Sequence, residues 1–64
     1  VLKADLTNYN LALAAVNQVD YTVASWAVYQ LVVDANVVTT ENTQAEVDTA
    51  TGNINTAQAS LVAL

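Results

Sequence analysis

The chain has no cysteine, histidine, methionine or proline, and only one glycine and one basic residue among its 64. Each absence removes a class of function. Without Cys and His, the usual metal ligands, the thiol nucleophile and the commonest general base are missing. A small domain without Cys cannot staple a thin core with disulfides and must rely on packing. Lys3 is the sole cation against six acidic residues, for a net charge of -5. Such a chain cannot neutralise a run of phosphates, so nucleic acid and anionic membrane surfaces are not expected partners. Long apolar runs are missing as well. The longest uncharged stretch, Thr49 to Leu64, has 16 residues and is half Thr, Asn, Gln, Ser and Gly, whereas a spanning helix needs about 20 mostly apolar ones. No membrane insertion is expected. No signal-peptide pattern opens the chain, and its start at Val1 instead of Met reads as a segment cut from a longer protein.

At this length only about 60% of the unfolded surface can be buried, which predicts one small domain over residues 1–64 and no two-lobed cleft. What the sequence does have is 55% hydrophobic residues, and their spacing is helical. Leu2, Leu6, Tyr9, Leu13 and Val16 recur at 4, 3, 4 and 3, which predicts a first helix over about 2–18. Asp20, Tyr21 and Thr22 interrupt the pattern, and Thr22 is placed to cap a second helix over 23–38. Its inward stripe reads Trp26, Tyr29, Val33 and Val37. The polar run Thr39, Thr40, Glu41, Asn42 reads as a connection. Thr43, Gln44, Ala45, Glu46 then fits a capping box, in which the Thr hydroxyl and Glu carboxylate each accept from the other residue's backbone N–H. A third helix over 44–63 follows, with Val47, Ala50, Ile54, Ala57, Leu61 and Leu64 facing inward. Short connections favour antiparallel neighbours, so the expected fold is an all-α, up-down-up three-helix bundle about 24 Å long. The abundance of Val and Thr would suit strands, but the apolar period is 3 to 4 and not 2. Gly52 lies off the apolar stripe and is expected to weaken the third helix by about 1 kcal/mol relative to Ala.

The run Asp20, Tyr21, Thr22 with Ser25 and Trp26, followed by Asn42, Thr43, Gln44, Ala45, Glu46, Val47 and Asp48, closely resembles the FIVAR domain, a module found in various architectures. That family carries a YTxxSW start to its second helix and a NATQAEVD start to its third. The resemblance covers nearly all of the chain, including the Leu-rich first helix, Leu61 and Leu64. Departures are Tyr29 where Leu is usual, Val28, Leu31 and Val32 where small residues are common, and the lack of a frequent Pro in the second connection. The resemblance implies a non-catalytic helical module of secreted, cell-wall or surface-layer proteins, mostly Gram-positive. Such modules accompany glycoside hydrolases, polysaccharide lyases and adhesins, often in tandem, and space other domains or bind host and wall components.

Candidate residues follow from the helical projection. At 100° per residue, Val28, Leu31, Val32 and Ala35 fall opposite the inward side of the second helix. They either belong to a broad buried arc or form an exposed strip that packs on an adjacent module or a protein ligand. Trp26 is expected as the central core aromatic, and Tyr21 as a ring over the helix ends with its hydroxyl in water. A carbohydrate ligand would use Tyr9, Tyr21 or Tyr29 as stacking faces. The acids are dispersed, and Asp48 to Gly52 matches a calcium loop only loosely, so neither a metal, a cofactor nor a catalytic residue is expected. Lys3 is expected to be solvated and not joined in an isopeptide bond. The leading expectation is a non-catalytic spacer or protein-interaction module of an extracellular bacterial protein. The alternative is a ligand-binding helical module for a host protein such as albumin, or for a wall or host glycan.

Overall fold

A computed structural model describes residues 3–64. Among them the chain forms three α-helices, α1 (Thr7–Ala14), α2 (Val23–Ala35) and α3 (Gln44–Gln58), and a short 3-10 turn at Gln18–Asp20. The expected all-α three-helix bundle is borne out. Leu2, assigned to the first helix by its spacing, lies outside the described residues.

The starts of α2 and α3 fall where local chemistry places them. Thr22 is extended, and its hydroxyl oxygen accepts from the Ser25 N–H at 3.3 Å. Thr43 is extended too, its hydroxyl oxygen accepts from the Glu46 N–H at 3.1 Å, and the Glu46 carboxylate accepts from the Thr43 N–H at 2.9 Å. That capping box satisfies two backbone donors that a helix start would otherwise leave open.

The remaining boundaries differ from the expected ones, and long-range hydrogen bonds are the reason. The first helix was expected over 2–18 but begins at Thr7 and ends at Ala14. Ahead of it, the Ala4 N–H donates to the Thr40 carbonyl at 3.2 Å, and Asp5 exchanges two bonds with the Gln44 amide at 2.7 and 3.1 Å. These bonds spend the backbone groups that another helical turn would need. The Asp5 carboxylate then accepts from the Thr7 N–H and hydroxyl. At its other end, the Ala12 carbonyl accepts from both the Ala15 N–H and the Gln58 side chain. α2 stops at Ala35 instead of 38 because the Asn36 side chain donates back to the Val32 carbonyl at 2.7 Å and accepts from Asn53 at 2.9 Å. A side-chain amide that competes for helix carbonyls ends the helix. Val37, expected inward, is therefore 68% exposed, and Val38 packs on the core in its place. α3 stops at Gln58 instead of 63, since residues 61–64 leave to pair with 20–22. Thr22 N–H donates to the Val62 carbonyl, Leu64 N–H to the Asp20 carbonyl, and Tyr21 and Ala63 form an antiparallel bridge. Leu64, expected on the inward stripe, is consequently exposed.

α3 is the central element and packs against both α1 and α2. It supplies Val47, Ala50 and Ile54 to a core completed by Ala4, Tyr9, Ala12 and Tyr29, with Ile54 fully buried. Leu6, Leu13, Val16, Trp26, Val33, Ala57 and Leu61 cover this centre from the sides. Gln58 crosses all three helices: one amide donates to the Ala12 carbonyl of α1 and, at 3.1 Å, to the Tyr29 hydroxyl of α2.

The molecule measures 44 × 17 × 14 Å, with a radius of gyration of 12.4 Å against about 11 Å for a round domain of this length. It is nearly twice the expected 24 Å in length because connections and extended termini prolong α3 at both ends. The hydrogen bonds of Ala4 and Asp5 hold the start of the described chain beside residues 40–44, whereas residues 61–64 lie past the far end of α3.

Candidate interaction face

Among the described residues α2 has α3 as its one principal partner, so much of its circumference faces solvent. Val28 is 61% and Leu31 69% exposed, and Ala35 is exposed as well. Val32 is half-buried. The broad buried arc is thus excluded for Val28, Leu31 and Ala35, and Val32 forms its edge. Ala24 and Ala27 are also exposed on this helix. Ala24 stands four residues before Val28, and Ala27 four before Leu31, so both extend the strip toward the start of the helix.

Beside the strip runs a groove of about 450 Å³ between α2 and α3. Val28, Tyr29 and Val32 form one wall, and Asn53, Thr56 and Ser60 the other. Its lining combines apolar surface with amides and hydroxyls and contains no charged group. Ala35 lines a second, shallower hollow near the start of α3, together with Val38, Ala45 and Glu46.

The aromatic residues are arranged differently from expectation. Tyr29, not Trp26, is the deeply buried aromatic of α2, at 3% exposure, and Trp26 is half-buried beside it. The reason is the direction of α3, whose Ile54 and Gln58 meet α2 around Tyr29. Trp26 tilts against Tyr29 at a centroid distance of 4.9 Å, and Tyr21 stacks on Trp26 at 6.1 Å and 25°. Both distances are within the range of favourable aromatic pairs. Tyr9 and Tyr29 have no free face for a sugar ring, since both are buried. Tyr21 is half-buried with one face on Trp26.

Asp34 is the one charged residue on α2, at the flank of the strip and bonded by Gln30. Lys3 pairs with Glu41 at 2.9 Å, both side chains largely exposed, so the pair adds little stability. Hydrogen bonds from the Thr7 hydroxyl and N–H hold the Asp5 carboxyl below its ordinary pKa, and bonds from Thr43 and Asn42 do the same for Glu46. These shifts follow from capping geometry and create no reactive group. Among the described residues no three acids gather where a metal ion would sit, and no helix is long and apolar enough to cross a membrane. Compared with family models, with curated proteins and with solved structures, the chain matches none.

Proposed function

We propose that the chain is a non-catalytic spacer or protein-interaction module of an extracellular or cell-wall-associated bacterial protein, with adjacent modules as its first partners. The observation that carries the spacer reading is the placement of the ends. The first described residues are tied to the start of α3, and the last lie beyond its end, along a body 44 Å long. This suits an up-down-up course in which the chain enters at one end of a rod and leaves at the other. The resemblance of residues 20–26 and 42–48 to the FIVAR domain supplies the surface setting.

The chain's lack of cysteine makes a direct test simple. Spin labels on Lys3→Cys and Val62→Cys should give one narrow distance distribution approaching the 44 Å length. A short or broad distribution would refute the spacer reading. The exposed strip and the groove next to it favour a second reading, a ligand-binding helical module for a host protein such as albumin or for a wall or host glycan. Titration with serum albumin and with wall glycans should then shift the amide resonances of Val28, Leu31 and Ala35 in the wild type but not in Leu31→Glu. Unmoved α2 resonances throughout would sink that reading.

A further inference from the structure

The exposed residues of α2 are Val23, Ala24, Ala27, Val28, Gln30, Leu31, Asp34 and Ala35, and its two polar members are bonded to each other, Gln30 to Asp34 at 3.0 Å. Ala24, Val28, Leu31 and Ala35 are spaced by 4, 3 and 4, the repeat of a coiled-coil seam. This seam reads small, large, large, small in either direction. If a second α2 lies antiparallel about a two-fold axis at the helix midpoint, Ala24 faces Ala35 and Val28 faces Leu31, with Ala27 flanking the seam on one side and Val32 on the other. A closed two-fold contact needs a surface complementary to itself in this sense. We infer that the outward face of α2 docks against α2 of a second copy of this chain, antiparallel and in this register. The inference rests on reading α2 as an interaction face.

Charge selects this surface and this register. α2 carries one charged residue, Asp34. In the antiparallel register Asp34 stands level with Ser25 of the second copy, whereas a parallel pair would set two Asp34 carboxylates side by side. The other five acids sit outside α2, so the -5 charges of the two copies meet least along this helix. A rival apolar patch exists at one end of the rod, where Val19, Val23, Val62 and Leu64 are 56–85% exposed. The exposed Asp20 lies among these residues, its carbonyl bonded to the Leu64 N–H, so two copies joined there would bring their carboxylates together, whereas the α2 seam carries no charge. The contact spans one helix about 20 Å long and is smaller than the ~800 Å² per partner of a stable interface, so association is expected at millimolar concentration.

Sedimentation equilibrium of the 64-residue chain decides the matter. The wild type should reach twice its 6.7 kDa mass at millimolar concentration. Leu31→Glu and Val28→Lys should each weaken association by more than about tenfold, because each buries a charge against an apolar side chain. Both positions are exposed in the single copy, so circular dichroism should show unchanged helix content. Mixing the two variants should restore a one-to-one pair. In the antiparallel register the new carboxylate meets the new ammonium on one side, and an unaltered Val28–Leu31 contact remains on the other. A wild type that stays monomeric overturns the inference, and so does a mixture that fails to pair. A monomeric wild type leaves the wider interaction reading to the α2 resonance titration.

Discussion

Gln58 offers the sharpest test of how the three helices are held together. Its amide donates to the Ala12 carbonyl and to the Tyr29 hydroxyl, and it is half-buried. Gln58→Leu keeps a side chain of similar length and removes both bonds. The two losses are unequal. The Ala12 carbonyl still accepts from the Ala15 N–H, so that loss is worth about 0.5–1 kcal/mol. Among the described residues the Tyr29 hydroxyl has no other hydrogen-bond partner, and leaving such a group unpaired costs about 1–3 kcal/mol. The expected total is about 1.5–4 kcal/mol, out of an overall stability of ~3–10 kcal/mol for a chain of this size. Urea unfolding followed by circular dichroism would measure it, and the melting temperature should fall by roughly 10 °C. Tyr29→Phe by itself should cost about 0.5–1 kcal/mol, because the half-buried Gln58 amide keeps Ala12 as acceptor. Combined with Gln58→Leu it should recover part of the loss, since it removes the orphaned hydroxyl. If Gln58→Leu changes stability by less than about 0.5 kcal/mol, the value of an ordinary surface substitution, or if the two changes simply add, Gln58 does not tie the helices together.

Two further perturbations probe α3. Gly52 is helical and exposed, and a Cβ built there meets nothing within 4 Å; Gly52→Ala should therefore raise stability by up to about 1 kcal/mol, and a loss in the same urea assay would show a neighbour that the fold does not reveal. The capping box predicts a pH dependence. Glu46 has its pKa lowered by folding, so its contribution is present above its ordinary value of 4.5 and lost as pH falls through the lower folded value. Thermal unfolding between neutral and acid pH should show this loss, Glu46→Gln should reduce it and leave the share of Asp5, and a profile unchanged by Glu46→Gln would contradict the box. Thr43→Ala should lower stability by about 1 kcal/mol at neutral pH.

The spin-label distance and the mixing of Leu31→Glu with Val28→Lys address two separate properties. The first depends on where the chain enters and leaves the rod. The second depends on a face of α2 that its own fold leaves open. A spacer that also pairs through its side would align two chains along their length, and neither property requires the other.

The sequence by itself determined what is local. Thr22 and Thr43 start their helices because each hydroxyl reaches an amide three residues on. The 3.6-residue period placed Tyr9, Tyr29, Val47, Ala50 and Ile54 inward because side chains on one helical face must share one neighbour. The strip of Val28, Leu31, Val32 and Ala35 was visible on the same grounds, though its exposure was not. Tertiary structure decided everything that rests on partners distant in the chain. Asp5 meets Gln44, Asn36 meets Asn53, and residues 61–64 meet 20–22; each pairing takes backbone or amide groups away from helix ends that periodicity would have prolonged. It also decided that α3 lies centrally against both other helices, which buries Tyr29 ahead of Trp26 and leaves the outer face of α2 uncovered. Helix starts are short-range hydrogen-bond problems that a few residues solve, whereas helix ends and free faces depend on what the rest of the chain brings beside them.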